Sequence, residues 1–355
     1  MSLFKDMLRN DETIFSNEIA LDYDFVPKML PYREEQQKHI ARCISPLLQS
    51  RNGKNLFIHG SPGIGKTAAI RWVLRDLEDE TEEVEAIYVN CWQKNTSFKV
   101  IAEICDQLGY KFTQNKKTDE LFKVVKNIVN KKTAVFAFDE IDKLEDYDFL
   151  YMIMEEIFKK SIILITNYKE WLIHLDDRLK SRLSADILEF EKYNANETEG
   201  ILKDRIKYAF YEGVWSDEAI EPIVEKAYSL GDIRQGIYLL RESGRFAEDE
   251  SSRKVKPEHA EKAIEKLDEF FVKKEDDLEE DSKLVLHVIK KNSGKKIGEL
   301  YKLYRDEGGK HTSKTFQRKI EKLEKANFIT TEKTGGGASG NTTIVSIKNA
   351  TLDEF

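Results

Sequence analysis

The sequence predicts an α/β fold: a parallel five-stranded sheet with helices on both faces, followed by an all-helical unit and a terminal winged helix. Three observations carry this. Five short apolar runs alternate with helix-period segments between Asn55 and Phe190, as expected of strands joined by helical crossovers. From Asn194 onward only helix-period segments follow, as far as Lys273. The end of the chain then offers three short amphipathic helices and two extended segments flanking the loop TGGGASGN.

A chain of 355 residues is too long for one simple core. The shifts in pattern divide it into an αβα domain (1–193, with 1–20 polar and loosely ordered), a helical unit (194–273), an acidic linker (274–281) and a winged-helix domain (282–349). The content is 40% apolar and 34% charged, which fits a helix-rich globular protein. No apolar run is long enough to span a bilayer, so no membrane partner is expected. The start, MSLFKDMLRNDETIF, lacks the apolar stretch of a secretory signal. Cys43, Cys91 and Cys105 show no metal-ligand spacing and read as reduced packing residues, consistent with a cytoplasmic protein.

The net charge of −8 argues against nucleic acid, but its distribution does not. Between Ser282 and Asn349, 15 Lys and Arg stand against 6 Asp and Glu, a balance of +9 that leaves −17 for the remainder. An acidic body carrying a basic terminal segment is the asymmetry of an appended nucleic-acid module.

The segment FVPKMLPYREEQQKHIARCISPLL comes first, with a helix pattern after Pro31. It lies just before the first strand, so Val26, Pro27 and Arg33 are candidates for adenine contacts. Next, NLFIHGSPGIGKTAAIRWVL reads as strand, glycine-rich turn and helix. Gly60, Ser61, Pro62, Gly63, Ile64, Gly65, Lys66 and Thr67 form a complete P-loop, continued by Ala68. Glycines let backbone N–H groups close around phosphate oxygens, and the helix directs its positive end at them. Lys66 would reach the β- and γ-phosphates of ATP, and the Thr67 hydroxyl would hold Mg²⁺.

A second strand, Ala86–Asn90, precedes a helix over 97–108 in which Phe98, Ile101, Ile104, Cys105 and Leu108 are expected to pack inward. Another helix over 120–130 leads into TAVFAFDEIDKL, a buried strand with a Walker B end. Asp139 would hold the Mg²⁺ shell and Glu140 would polarise the attacking water. After a helix over 149–159, the apolar strand SIILITN ends in Asn167, placed to meet the γ-phosphate or the lytic water. LDDRLKSRLS then sets Arg178 and Arg182 on one helix face. Either is a candidate arginine finger for a neighbouring subunit. DILEF supplies the fifth strand.

The lid helices are expected over 197–212, 217–230, 233–247 and 257–273. Gly231-Asp232 ends one and caps the next, which puts Arg234 in the first turn of the third helix, as a candidate to return to the nucleotide. In the terminal segment, Phe316, Ile320 and Leu323 share a helix face. Lys314, Gln317, Arg318 and Lys322 are left for a major groove and its phosphates. Lys310, Thr312, Ser313 and Lys333 add candidate DNA contacts, and His311 a further phosphate contact. The wing is expected to have two strands, 327–333 and 342–347.

The P-loop, DEID, the Asn-tipped fourth strand, DDRLKSR and GDIRQGIYLLRESGRFAE together resemble the AAA+ ATPases. More narrowly, PYREEQ, YVNCWQKN and GDIRQ are similar to the archaeal Orc/Cdc-type replication initiators, almost in register. The resemblance spans 24–347 and implies an AAA+ domain, a lid and a winged helix. It further implies an ATP/ADP- and Mg²⁺-dependent initiator with slow hydrolysis, which binds double-stranded origin DNA and helps to recruit or load an MCM-type replicative helicase. Self-association or a paralogue on the DNA, and association with the nucleoid, belong to the same implication, as does a DNA-contacting role for 91–108. One departure stands out: the wing tip GGGASGN lacks the Arg or Lys such initiators carry for the minor groove. A second reading is an AAA+ regulator, from a mobile element or the host, whose winged helix mainly binds protein.

Overall fold

A computed structural model of the chain describes residues 13–27, 30–276, 278–325, 328–334 and 342–347. It forms two compact units, one covering 22–197 and the other 198–355 together with the N-terminal segment.

In the first unit, α1 (Glu34–Ile44) precedes β1 (Leu56–His59), and α2 (Lys66–Glu80) follows it. The chain continues through β2 (Val84–Asn90), α3 (Ser97–Gln107), α4 (Thr118–Val129), β3 (Thr133–Asp139), α5 (Asp148–Glu156) and β4 (Lys160–Thr166). Two short helices, α6 (Trp171–His174) and α7 (Asp177–Leu183), lead to β5 (Asp186–Glu189). The strands form one parallel sheet in the order β2-β3-β4-β1-β5. Every residue of β3 is buried, which requires cover on both faces and explains why the run shows no alternation. The core beside it joins Phe136, Phe138 and Phe149 to α3 and α4.

One expected core residue is displaced: Phe98 is 42% exposed. At 100° per residue it lies roughly 90° from the centre of the face that Val100, Ile101, Ile104 and Cys105 bury, so helix period alone misassigns it. Leu108 falls just beyond the helix and is half-buried.

The second unit holds α8 (Ala195–Ala209, which crosses from the first unit), α9 (Asp217–Leu230), α10 (Ile233–Asp249) and α11 (Pro257–Asp276). The N-terminal segment was expected to be loose, and for 13–21 the structure differs. Ile14, Phe15, Ala20 and Leu21 are buried. The Phe15 ring packs 4.7 Å from that of Phe210, and Arg205 Nη1 donates to Ala20 O at 2.9 Å. Four apolar side chains with helix-anchored backbone are enough to order so short a strap. Residues 1–12 lie outside the described residues.

The acidic linker is largely helical as well. α11 runs to Asp276 and α12 (Glu280–Lys291) begins four residues later. The terminal lobe adds β6 (Lys295–Lys296), α13 (Ile297–Asp306), α14 (Ser313–Lys325), β7 (Ile329–Thr334) and β8 (Thr342–Ile347). The wing therefore has three antiparallel strands in the order β6-β8-β7. The two-residue β6 is too short to show a period in sequence. Among the described residues no helix is long and apolar enough to cross a membrane.

Candidate functional site

Strand register assembles the site. β1 ends at His59 opposite Thr166 of β4, and β2 ends at Asn90 opposite Asp139 of β3. The loops after β1, β3 and β4 therefore leave one edge of the sheet side by side, where ligands of open α/β sheets bind. Gly60 and Gly65 make the phosphate loop passable. Gly60 has φ +149°, and a Cβ there would meet Phe190 O at 2.4 Å. Gly65 has φ +89°, and its Cβ would meet the Tyr193 hydroxyl at 2.6 Å.

Lys66 opens α2 and is buried. Its Nζ donates to Asn167 Oδ1 at 2.7 Å and to the Gly60 and Ser61 carbonyls at 2.9 and 2.8 Å. Thr67 Oγ1 donates to Asp139 Oδ2 at 2.6 Å. Asn167 Nδ2 lies 3.3 and 3.4 Å from the two Glu140 carboxylate oxygens. Glu140 is held in the left-handed region, φ 55° and ψ 42°, and its N–H donates to Asp139 Oδ1 at 3.0 Å. A non-glycine residue there costs of order 1–3 kcal/mol, and such strain gathers at functional sites. The five residues Lys66, Thr67, Asp139, Glu140 and Asn167 thus come together from three loops.

This donor set fits a Mg²⁺–nucleotide. A hydroxyl and a carboxylate converge at hydrogen-bond distance, as hard-cation ligands must. A buried ammonium and the backbone amides of a glycine loop face the same edge, as phosphates require.

Two supporting residues carry no motif. Tyr88 on β2 donates its hydroxyl to Asp139 Oδ2 at 2.9 Å, and the Arg71 guanidinium lies 4.8 Å from the Tyr88 ring centroid. Burial first, and then the Asp139 charge, push the Tyr88 phenol above its ordinary pKa, so it remains a donor. No sequence signal pointed to it, because the pairing of β2 with β3 brings it to Asp139. Tyr193 packs under Arg33, 3.9 Å from guanidinium carbon to ring centroid.

Arg33, offered by the sequence as an adenine contact, is held by the protein itself. It is 4% exposed. Its Nε donates to Ile64 O at 3.1 Å and its Nη2 to Glu191 O at 2.7 Å, bracing the phosphate loop against the segment after β5. Val26 is half-buried, and Pro27 is buried with its carbonyl accepting from Arg75 Nη2 at 3.3 Å.

Both arginines on α7 are exposed; Arg182 pairs with Glu155 of α5 and lies 5.3 Å from the Tyr151 ring centroid. In the lid, Gly231 ends α9 and the Asp232 side chain caps α10. Arg234 folds back on that cap, Nη2 to Asp232 Oδ2 at 2.8 Å.

In the terminal lobe α14 divides cleanly. Phe316, Ile320 and Leu323 are buried, and Lys314, Gln317, Arg318 and Lys322 are exposed. Lys319 is buried instead, bonded to Glu279 and Ser282 at 3.1 and 3.3 Å. Lys310, Thr312 and Ser313 are exposed; His311 lies 3.4 Å from Asp281. Lys333 lies in β7, but its side chain and the wing tip 335–341 lie outside the described residues. The turn and helix after β2 expose Trp92 at 54% besides Phe98.

Comparison with known proteins agrees with this arrangement. The AAA domain family matches residues 49–170, and the Cdc6 AAA+ ATPase-type lid domain family matches 199–265. The chain is 32% identical to ORC1-type DNA replication protein 2 of Methanothermobacter thermautotrophicus, over 96% of this chain and 94% of that protein. It is 34% identical to ORC1-type DNA replication protein 1 of Archaeoglobus fulgidus, over 87% of this chain and 80% of that one. The Aeropyrum pernix ORC1 protein, solved in complex with DNA, superposes with a TM-score of 0.68 at 28% identity, covering 94% of each chain.

Proposed function

The chain belongs to the ORC1-type DNA replication proteins, AAA+ ATPases, and from that premise we propose that it binds double-stranded origin DNA under the control of ATP and helps to recruit or load an MCM-type helicase. On this reading Thr67 and Asp139 hold Mg²⁺, which when bound neutralises charge on the β- and γ-phosphates. Lys66 exchanges its carbonyl and Asn167 partners for phosphate oxygens. Asn167 bridges Lys66 and Glu140, so a γ-phosphate that draws Lys66 away also loosens Asn167 from Glu140. Glu140 then polarises the lytic water. The Asn167 contact is one restraint on the general base, in keeping with slow hydrolysis that serves as a switch. Arg234, in the first turn of α10, is the lid residue that would serve the nucleotide. Arg178 or Arg182, both exposed on α7, would act on a neighbouring subunit, a second copy or a paralogue on the DNA; Arg182 would first have to leave Glu155.

The observation that carries the DNA-binding half is the division of α14. Three apolar residues anchor it while Lys314, Gln317, Arg318 and Lys322 face outward, and the chain resembles an ORC1 protein solved with DNA. Lys310, Thr312 and Ser313 lead into that helix, Lys333 of β7 is a further candidate contact, and exposed Trp92 and Phe98 offer a second contact. The test is capture of fragmented genomic DNA by the purified chain over a salt series. Enrichment at a few short sites is expected. The Lys314→Ala/Arg318→Ala/Lys322→Ala variant should lose it, and the salt slope should fall by about 3, roughly one per phosphate contact. Absence of salt-sensitive duplex binding would reject the proposal in favour of a protein-binding regulator.

A further inference from the structure

Away from the nucleotide site, the described residues bring together an imidazole, a thiol and a carboxylate. His39 and Cys43 stand four residues apart on α1, on one face of the helix. Asp186 opens β5. One ligand atom from each lies within 4.8 Å of the other two. Cys43 is 2% exposed and in no disulfide. His39 Nε2 is buried and has no hydrogen-bond partner. Buried polar nitrogens almost always have one, so this orphan calls for an explanation. None of the three residues serves the P-loop.

We propose that His39, Cys43 and Asp186 form a binding site for a tetrahedral divalent transition metal, with Zn²⁺ as the ion this donor set selects and water in the fourth position. An imidazole nitrogen, a thiolate and a carboxylate oxygen are the three ligand types zinc accepts, whereas Mg²⁺ and Ca²⁺ take oxygen. Zinc bonds of about 2.0–2.3 Å space tetrahedral donors roughly 3.5 Å apart. Donors already within 4.8 Å of one another reach that by small side-chain rotations. His39 and Asp186 are only half-buried, which leaves a way in for the ion. Lys54 Nζ, 3.4 Å from Asp186 Oδ2, steadies the carboxylate from its solvent side.

The site also has a mechanical consequence. Arg33, at the start of α1, bonds Glu191 O just past the end of β5, while Cys43, near the end of α1, meets Asp186 at the start of β5. The helix therefore runs antiparallel to the strand. A metal at the far end fixes α1 along β5 and stiffens the brace that Arg33 gives the phosphate loop.

The test uses the untagged full chain, stripped with chelator and titrated with Co²⁺ as a spectroscopic stand-in. One equivalent should give a thiolate-to-cobalt charge-transfer band and the strong visible bands of a tetrahedral site, and Zn²⁺ should displace it. His39→Gln and Cys43→Ser should each weaken binding by more than about 100-fold, since even outer-shell partners are worth about 10–100-fold. ATP binding retained by His39→Gln shows that this variant is folded. No charge-transfer band, or an unchanged band in either variant, would overturn the proposal.

Discussion

Replacing Arg33 with alanine separates two accounts of this residue. In the structure its guanidinium joins Ile64 O and Glu191 O and lies on the Tyr193 ring. Alanine would strand the Ile64 carbonyl in a buried setting, whereas the carbonyl of exposed Glu191 can turn to water. The stranded acceptor costs about 1–3 kcal/mol. The lost cation–π contact costs about 0.5–2 kcal/mol. The terms share one residue and do not add fully, so about 3 kcal/mol is expected, or about 150-fold in the opening constant. Native-state hydrogen exchange of the β1 and β5 amides, without nucleotide, reads that constant directly. Arg33→Lys should recover only part of the loss, because an ammonium does not span two acceptors as a planar fork does. If Arg33 contacted adenine instead, the nucleotide-free protein would be indifferent to the change and only ATP affinity would fall. An opening free energy within about 0.5 kcal/mol of wild type would refute the bracing role.

Three further outcomes follow from the same geometry. Lys66→Ala removes a charged donor from the phosphates and should weaken ATP binding by about 10–150-fold, the equivalent of about 1.5–3 kcal/mol, measured by isothermal titration. Glu140→Gln should bind ATP normally yet lose about 10²–10⁴-fold in hydrolysis; retained single-turnover rates would remove Glu140 from its role. Tyr88→Phe deletes the hydroxyl bond to Asp139 Oδ2 and should lower hydrolysis by about tenfold, with a raised Mg²⁺ requirement and unchanged folding. An unaltered Mg²⁺ dependence would make Tyr88 a packing residue only.

Much of the nucleotide site was legible because its groups travel in short contiguous strings. Gly60 to Thr67 and Asp139-Glu140 each need only a local strand–turn context. Asn167 was legible one step less directly, from its place at the end of a fourth apolar strand. The buried face of α14 was readable because Phe316, Ile320 and Leu323 keep helical spacing. Phe98 has a similar spacing and is exposed, because period reports a stripe and not where the stripe's centre meets the core. Lys319, on the same helix, is buried, and its ammonium bonds Glu279 and Ser282, far back in the chain.

The sequence by itself determined the order of strands and helices, the phosphate-binding loop, the acidic pair and the basic terminal module. Each is written in residue type and spacing over a few turns of chain. Only the tertiary structure decided what supports them. Arg33 braces a loop through Glu191, 158 residues away, and Tyr88 reaches Asp139 across a strand pairing, 51 residues away. It also decided that Ile14 to Leu21 packs on the lid and that His39, Cys43 and Asp186 meet. Such contacts are set by strand order and helix docking, which bring distant residues together through shared burial, and burial is a property of the whole fold that no local pattern contains.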